Sequence, residues 1–141
     1  MKIIVTGATG FLGHYVINFF KKHHQVVGLS RNPSELDIDV PVLQTNYSLE
    51  ELCVLMSGCD VVVHLAAGRP INSNSQELQN NTILDLNVFS AAHCQNVNNV
   101  LFISSRGVYG AQPIPWLESS AVEPNNAYAL AKAQSELVAE F

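Results

Sequence analysis

The sequence predicts an α/β fold built on a doubly wound parallel sheet, and two observations support this prediction. Short, almost continuously apolar segments alternate with longer segments whose apolar residues recur at helical spacing. Strands of this kind are typical of parallel sheets that helices cover on both faces, with ligands at the carboxyl ends of the strands. A glycine-rich turn also joins the first apolar segment to the first helical one. The predicted strands are residues 2–7, 25–30, 40–45, 60–67 and 99–105, and the predicted helices are residues 11–22, 48–56, about 75–95 and 126–141.

The first three elements follow from residue type and spacing. "KIIVTG" is a short β-branched run that ends in glycine, which indicates a buried strand. "FLGHYVINFFKK" predicts a helix because its apolar residues lie at helical spacing, and "QVVGLS" is typical of a second strand. The apolar positions of the helix are Phe11, Leu12, Tyr15, Val16, Phe19 and Phe20.

The later elements are assigned in the same way. "VPVLQT" is a weaker strand, and "SLEELCVLM" predicts a helix that opens with a serine cap. "DVVVHLAA" and "NVLFISS" predict strongly buried strands on either side of the long helix at about 75–95. "NAYALAKAQSELVAEF" predicts the last helix.

The segment between the last strand and the last helix is unusual. "RGVYGAQPIPWLESSAVEPN", residues 106–125, contains three prolines and little periodicity. A loop of this length inside a compact domain is usually functional, so we interpret it as part of a site wall or a lid. The alternative is a mobile excursion without a function.

The composition limits the classes of function. A chain of 141 residues with 48% hydrophobic and 13% charged residues is typical of one folded domain, residues 1–141. A net charge of −5 without any basic run argues against nucleic acid or an anionic membrane as a partner. We expect a cytoplasmic protein, because the sequence has no signal peptide, no apolar stretch of membrane-spanning length and no disulfide pattern.

No metal site is predicted. The cysteines are odd in number without CxxC spacing, and the histidines show no ligand spacing. His64, at a strand end, is predicted to be a hydrogen-bonded core residue and not a catalyst. The cysteines are Cys53, Cys59 and Cys94, and the histidines are His14, His23, His24, His64 and His93.

The glycine-rich turn "TGATGFLG" has the pattern of a dinucleotide-binding loop. Gly7 allows a tight turn out of the strand, Gly10 lets the backbone approach a pyrophosphate, and Gly13 lets the helix pack near the sheet. The N-terminus of the helix offers amide N–H groups and a partial positive charge to the phosphates. The alternative is a glycine-rich turn that binds nothing.

The end of the second strand bears on which dinucleotide is bound. NAD-binding domains usually place an acidic residue there to accept hydrogen bonds from the ribose hydroxyls, whereas this chain has Ser30 and Arg31. A hydroxyl and a guanidinium would bind a 2′-phosphate that a carboxylate would repel, so the sequence favours NADP over NAD. Alternatively, Arg31 is a solvated surface charge.

Three further features belong together at the carboxyl side of the predicted sheet. "DVVVHLAAG" ends in small residues that let a ligand lie against the backbone, and "ISSRGVYG" ends the next strand in two serines. In "NAYALAK", Tyr128 and Lys132 share one helical stripe with Ser135 and could line a groove. The apolar stripe of the same helix runs through Leu130, Ala131, Leu137, Val138 and Phe141.

Together these motifs resemble the extended short-chain dehydrogenase/reductases, specifically the NAD(P)-dependent epimerase/dehydratase branch, whose cofactor domain is of the Rossmann type. "TGATGFLG" is similar to the family's cofactor loop, "DVVVHLAA" to its fourth strand, and "SSRGVYG" with "YALAK" to its Ser…YxxxK set. The family also has an asparagine in an N-x-x-G-T stretch, and Asn81 stands there, but Leu84 and Asp85 replace the Gly-Thr.

The resemblance implies a role for each residue of this set. Tyr128 moves a proton at a substrate hydroxyl or carbonyl, and Ser105, three residues before the Val of "VYG", hydrogen-bonds the reacting oxygen. Lys132 hydrogen-bonds the nicotinamide ribose, and its charge is expected to lower the pKa of Tyr128. The implied cofactor-binding residues are Gly7, Thr9, Gly10, Phe11, Leu12, Gly13, Ser30, Arg31, Leu65, Ala66, Ala67, Asn81, Ser104, Tyr128 and Lys132.

Family members are usually much longer, so we expect residues 1–141 to be an N-terminal fragment truncated before the last strands and the substrate domain. The strand "NVLFISS" would then expose an edge, unless a homodimer covers it. The implied activity is that of an oxidoreductase-type epimerase or dehydratase acting on a nucleotide sugar. The alternatives are an NADP-dependent carbonyl reductase, a non-catalytic cofactor-binding regulatory module, and an inactive fragment.

Overall fold

The structure is a computed structural model that describes residues 1–33, 39–68 and 74–140. Within these ranges, five parallel strands form one sheet in the order β3-β2-β1-β4-β5. The strands are β1 (Lys2–Thr6), β2 (Gln25–Ser30), β3 (Val42–Gln44), β4 (Val61–His64) and β5 (Asn99–Phe102). The helices are α1 (Phe11–Phe20), α2 (Leu49–Leu55), α3 (Ser75–Cys94) and α4 (Ala127–Ala139), with a short 3-10 helix at Arg106–Tyr109.

The strand order reverses at β1, which confirms the doubly wound topology. The chain passes outward from β1 to β2 and β3, then crosses to β4 and β5 on the other side of β1. In register, Ile4 lies opposite Val27 of β2 and Val62 of β4. The reversal creates a crevice beyond the carboxyl ends of β1 and β4, the place where such sheets bind ligands.

The chain is divided into two compact units. Residues 1–67 and 87–103 form the first unit, which contains the sheet with α1 and α2. Residues 68–86 and 104–141 form the second, which contains the first half of α3, the 3-10 helix and α4. The assignment of all 141 residues to one domain stays a prediction.

The core of the first unit lies between the sheet and α1. Ile3 and Val5 of β1, Val26 of β2 and Val63 of β4 are buried there together with Ile17 of α1. Alternation along β1 directs Ile3 and Val5 to this face of the sheet. Burying each such aliphatic side chain contributes about 1.5–3 kcal/mol.

Helix α1 has the predicted helical period, but only part of its apolar set is buried, with Val16 and Phe20 packed against the core. Its Gly13 and Ile17 are buried, whereas Phe11 and Phe19 remain 80% and 68% exposed. The helix ends at Phe20, and Lys21 closes its last turn through a hydrogen bond to the carbonyl of Ile17. Period alone therefore predicted the helix, but not which of its apolar residues are buried.

Strands β4 and β5 each end three residues earlier than predicted. Strand β4 ends at His64, since the N–H groups of Leu65 and Ala66 both donate to the Thr6 hydroxyl at 3.1 Å. Strand β5 ends at Phe102, after which Ser105 caps the 3-10 helix. His64 is fully buried with Nδ1 2.7 Å from Thr6 Oγ1, which confirms the prediction of a hydrogen-bonded core histidine.

The long segment before α4 closes on itself within the second unit. The Trp116 indole donates to the carbonyl of Gln112 at 3.0 Å, and its ring stacks on Tyr109 with centroids 6.0 Å apart. The Glu123 N–H donates to the carbonyl of Val108 at 2.9 Å. These contacts give the segment a defined shape and hold the 3-10 helix in place.

Two absences can be stated for the part of the chain that the structure describes. None of its helices is both long and apolar enough to cross a membrane. No three His, Cys, Asp or Glu side chains come close enough together to hold a metal ion.

Candidate active site

The glycine loop between β1 and α1 has the close backbone approaches that its sequence predicts. Gly7 has a φ of +65°, and a Cβ added to it would lie 2.8 Å from the Ala66 nitrogen. A Cβ on Gly13 would lie 2.5 Å from the carbonyl oxygens of Gly7 and Ala8. Any side chain at either position would therefore force the loop apart.

The first turn of α1 is open to an anion. Gly10 occupies the N-cap position and has no side chain that could cap the turn, and the first turn contains no acidic residue. The N–H groups at a helix start lack partners inside the helix and carry a partial positive charge. The backbone at Phe11, Leu12 and Gly13 can therefore bind a phosphate group, as the loop motif predicts.

The end of β4 forms the second wall of this crevice. Thr6, at the end of β1, accepts hydrogen bonds from the N–H groups of Leu65 and Ala66, so the chain turns closely around the end of β1. Ala66 is buried against Gly7, and Ala67 follows it. That a ligand lies against these small residues stays a prediction.

The sequence did not predict the role of Tyr47, whose side chain hydrogen-bonds to the glycine loop. Its side chain is buried, its hydroxyl accepts from the Gly7 N–H at 3.1 Å and donates to the Leu29 carbonyl at 3.0 Å. Burial raises the pKa of this phenol, which keeps it a neutral donor. Tyr47 has a φ of +64°, uncommon outside glycine, and nothing in the polar sequence around it signals this role.

Ser30 and Arg31 occupy the predicted place at the end of β2. The Ser30 hydroxyl lies 2.7 Å from Thr9 Oγ1 of the glycine loop and accepts from the Asn32 N–H at 3.2 Å. Arg31 is exposed and lines a surface pocket of about 360 Å³ together with Gln44, Thr45, Asn46 and Glu51. The pocket therefore contains one guanidinium and one carboxylate.

In the second unit, Ser104 and Ser105 have different surroundings. Ser105 caps the 3-10 helix, with its hydroxyl accepting from the Gly107 N–H at 3.1 Å. The Ser104 hydroxyl oxygen is buried, and among the described residues it has no hydrogen-bond partner. A buried hydroxyl of this kind is suited to a ligand group, because burial without a partner is costly.

The 3-10 helix brings Ser105 to the start of α4. A Cβ on Gly107 would lie 3.3 Å from Ser105 Oγ and 3.4 Å from the Cβ of Ala129, the residue that follows Tyr128. Helix α4 begins here because the Asn126 side chain caps it, accepting from the Ala129 N–H at 2.9 Å. The serine motif and the Tyr-Lys motif are therefore neighbours in the second unit.

In the polar stripe of α4, Lys132 and Ser135 are buried, whereas Tyr128 is half-buried. Lys132 and Ser135 are each only 2% exposed, and both meet Asp85 of α3. The Lys132 ammonium lies 3.3 Å from Asp85 Oδ2 and 3.5 Å from Oδ1, and the Ser135 hydroxyl donates to Oδ2 at 2.8 Å.

The predicted apolar stripe of α4 is largely exposed. Leu137 is 64% exposed and Leu130 and Val138 are about 40% exposed, whereas Ala131 is buried. Phe141 lies outside the described residues. The residues that the helix buries are Ala129, Ala131, Lys132, Ala133 and Ser135.

The pKa of Tyr128 shifts opposite to the predicted direction. Burial and the nearby Asp85 carboxylate raise the pKa of this half-buried phenol, instead of Lys132 lowering it. Burial also lowers the pKa of Lys132, and Asp85 partly opposes that shift.

Asn81 is buried and holds the backbone that follows β4. Its Oδ1 accepts from the Gly68 N–H at 2.7 Å, and its Nδ2 donates to the Glu77 carbonyl at 3.0 Å. These bonds give Asn81 a structural task, and its predicted contact with a cofactor stays a prediction.

The predicted site residues thus fall into two groups, each within one unit. The first unit brings together the loop, the end of β2 and the end of β4. The second brings together the serine motif, Asn81 and the Tyr-Lys motif. The groups are Gly7, Thr9, Gly10, Phe11, Leu12, Gly13, Ser30, Arg31, Leu65, Ala66 and Ala67 in the first, and Asn81, Ser104, Ser105, Tyr128 and Lys132 in the second.

Comparison with known families decides the assignment. The sequence model of the "NAD dependent epimerase/dehydratase family" matches residues 3–140. The chain belongs to this family. The resemblance drawn from the motifs is therefore confirmed, as is the Rossmann-type sheet.

Relatives in this family differ in what they act on. A decarboxylating sterol-4-alpha-carboxylate 3-dehydrogenase of Dictyostelium discoideum is 32% identical over 117 residues, which are 75% of this chain and 36% of that protein. The crystal structure of a UDP-N-acetylglucosamine 4-epimerase from Bacillus cereus is 32% identical with a TM-score of 0.89, covering 99% of this chain and 48% of that one. The dTDP-glucose 4,6-dehydratase DesIV of Streptomyces venezuelae, with NAD bound, is 26% identical with a TM-score of 0.82, covering 98% of this chain and 50% of that one. This chain therefore spans half or less of the length of these family members.

Proposed function

We propose that this chain is the cofactor-binding and acid–base part of an oxidoreductase-type epimerase or dehydratase acting on a nucleotide sugar. One observation carries the proposal: Ser105 and the Tyr128–Lys132 helix lie next to each other, held by the 3-10 helix and its contact with Ala129. Membership of an NAD dependent epimerase/dehydratase family supports it. The two solved family members named above, an epimerase and a dehydratase of sugar nucleotides, support the substrate class.

The glycine loop fits a nicotinamide dinucleotide. The close approach of Gly7 to Ala66 and the open first turn of α1 leave backbone, not side chains, facing a pyrophosphate. Leu65, Ala66 and Ala67 would form the wall beside it. When bound, the nicotinamide ring accepts and returns a hydride.

The residues of the second unit would move the proton. A Tyr128 phenol with a raised pKa holds its proton at neutral pH and is set to donate it to a developing alkoxide at the substrate. Ser105 would donate a hydrogen bond to the same oxygen and stabilise its charge. Lys132 would hold the ribose hydroxyls beside Tyr128.

The preference for NADP over NAD belongs to this proposal. Arg31 beside the pocket at the end of β2 supports it, since a guanidinium binds a 2′-phosphate. Glu51 lines the same pocket, but its Oε2 already accepts from the Thr45 hydroxyl and the Asn46 N–H at 2.8 Å each. Replacing Arg31 with Gln should weaken NADPH binding about tenfold or more while leaving NADH binding nearly unchanged, because it removes a charge-assisted contact to the phosphate.

A second candidate function is a dinucleotide-binding module without catalysis. The pairing of Lys132 with Asp85 favours it, because a lysine whose charge is offset does not activate the tyrosine. Such a module would bind the dinucleotide equally well whatever residue stands at position 128.

Turnover separates the two candidates. The purified protein would be incubated with UDP-glucose, UDP-N-acetylglucosamine and dTDP-glucose in the presence of NAD or NADP, and the products identified by mass spectrometry. We expect Tyr128→Phe to lower turnover by about 10²- to 10⁴-fold, the usual contribution of a general acid or base. Tyr15→Phe on the exposed side of α1 serves as the matched control. The absence of any product, or equal rates for wild type and Tyr128→Phe, would refute the catalytic proposal.

Localisation and assembly remain predictions with simple tests. We infer a cytoplasmic protein from the absence of a disulfide pattern among its cysteines. We also infer a homodimer, because among the described residues β5 is the last strand of the sheet on its side and its Leu101 is 51% exposed. Light scattering of the purified protein should give twice the mass of one chain. A monomer in solution would rule out the dimer.

A further inference from the structure

Helix α3 carries a buried carboxylate, Asp85, that faces the Tyr-Lys helix. Asp85 is fully buried, and its carboxylate receives the Lys132 ammonium at 3.3 Å and the Ser135 hydroxyl at 2.8 Å. Lys132 and Ser135 lie one turn apart on α4, so both side chains contact Oδ2 of Asp85 from the same face of the helix. Tyr128 lies one turn before Lys132 on this stripe.

The charges that face this stripe come from few elements. Asp85 on α3 acts on both Tyr128 and Lys132. The 3-10 helix beside α4 carries Arg106, whose guanidinium lies over the Trp116 ring, 5.5 Å from its centroid. Asp85 and Lys132 are thus two opposite charges, 3.3 Å apart, on the Tyr128 side of α4.

We propose that Asp85 is a positioning residue for Lys132 and Tyr128: it fixes the Lys132 ammonium and offsets its charge, so that Tyr128 serves as a proton donor. The inference rests on the proposed function for its catalytic meaning. It also accounts for the departure at this position, where the family motif has a threonine. A threonine hydroxyl would leave the lysine charge in force, whereas a carboxylate cancels it.

The pair of charges makes two predictions about titration. An opposite charge within about 4–6 Å typically moves a pKa by about one to three units, so Asp85→Asn should lower the pKa of Lys132 by about that amount. The same substitution removes a negative charge near Tyr128 and should lower the pKa of its phenol as well. A role for Asp85 in packing alone would move neither value.

The test is a titration that needs neither substrate nor turnover. Lys132 would be followed by ¹⁵N NMR of its ammonium, assigned through Lys132→Arg, and Tyr128 by tyrosinate absorbance near 295 nm, as the difference between each protein and its Tyr128→Phe partner. Ser135→Ala is the matched control, because it removes a hydrogen bond to Asp85 but no charge. We expect both pKa values to fall in Asp85→Asn and to change much less in Ser135→Ala. Unchanged values in Asp85→Asn would overturn the proposal.

The wild type provides a second measurement if Asp85→Asn does not fold. Its Tyr128, isolated by the same difference, should titrate above the ordinary tyrosine value of about 10. A value below about 10 would overturn the proposal, because it would mean that the Lys132 charge acts on Tyr128 without an offset.

Failure of the proposed function can be told apart from failure of this inference. Shifted titrations in a protein that converts no sugar nucleotide would support Asp85 as the positioning residue and refute the enzyme. Turnover of a sugar nucleotide with unshifted pKa values in Asp85→Asn would support the enzyme and refute the role of Asp85. Where both the titration shifts and the turnover are observed, the alkaline limb of the pH–rate profile in Asp85→Asn should move to lower pH together with the pKa of Tyr128.

Discussion

The glycine loop and the Tyr128–Lys132 helix are built by different means. In the loop, the backbone itself forms the site, and what matters is that no side chain intrudes between Gly7 and Ala66. On α4, side-chain charges form the site, and their behaviour depends on Asp85 from another helix. The geometry of the glycine loop therefore follows from its own residues. The charge state of the Tyr128–Lys132 motif depends instead on residues outside the motif.

Removing one charge of the buried pair should have the largest effect. Lys132→Met leaves Asp85 without its cation and should lower the free energy of unfolding by about 3–5 kcal/mol. Urea denaturation followed by circular dichroism measures this.

A double variant and a surface pair serve as controls for that prediction. Asp85→Asn with Lys132→Met removes both charges and should be more stable than Lys132→Met alone, because no unpaired charge stays buried. Lys21→Met breaks the exposed pair with Asp39, whose atoms are 3.8 Å apart, and should cost less than about 1 kcal/mol. Equal costs for Lys21→Met and Lys132→Met would contradict the account of the buried pair.

The glycine loop should be the next most sensitive place. Gly7→Ala adds a Cβ 2.8 Å from the Ala66 nitrogen, and should cost about 1–3 kcal/mol through overpacking on top of the cost of its positive φ. Gly58→Ala is a matched control, since Gly58 has the same φ of +65° but nothing within 4 Å of the added Cβ. The difference between the two losses of unfolding free energy measures the cost of placing a Cβ against Ala66. Equal losses would show that the close approach of Gly7 to Ala66 does not matter for stability.

The helix caps should show a smaller contrast between the two regions. Asn126 caps α4 through a 2.9 Å hydrogen bond, whereas Ser48 caps α2 through a longer bond of 3.4 Å. Replacing either residue with alanine should cost about 0.5–2 kcal/mol, with Asn126→Ala at the upper end. Thermal or urea unfolding of both variants tests the ranking, and a larger loss in Ser48→Ala would reverse it.

The smallest expected effect is a pH dependence at Tyr128. Its pKa is raised in the folded protein above the value of 10.0 in the unfolded chain, so its contribution to stability is complete below pH 10 and is lost as the pH rises through the folded pKa. The difference in stability between wild type and Tyr128→Phe should therefore change only above about pH 10, by less than about 1 kcal/mol because the phenol is half exposed. A change already between pH 7 and pH 9 would contradict the raised pKa.

Much of the fold was predictable because it depends on local pattern. Apolar runs and helical periods predicted every strand and α-helix of the described residues within a few positions, and the parallel sheet followed from their alternation. The 3-10 helix at Arg106–Tyr109 was not predicted. The end of β4 was not predictable, because it depends on hydrogen bonds across the sheet, in which the N–H groups of Leu65 and Ala66 donate to the Thr6 hydroxyl.

The geometry of the glycine loop was predicted more fully than that of the Tyr128–Lys132 motif on α4. The loop residues have the geometry that their spacing indicates, since Gly7 and Gly13 leave no room for other side chains. The polar stripe of α4 was also visible from spacing, but its partner was not, because no local rule says which residue of α3 faces Lys132. The signal that could have found it was the replacement of the motif threonine by Asp85. Tyr47 had no such signal.

Fluorescence titration with NADPH and NADH tests the division between backbone site and charge site most directly. We predict saturable dinucleotide binding by the wild type, retained within a few fold in Tyr128→Phe and lost in a folded Gly7→Ala variant, because the loop backbone holds the pyrophosphate. Binding that survives in Gly7→Ala, or that disappears in Tyr128→Phe, would contradict the account.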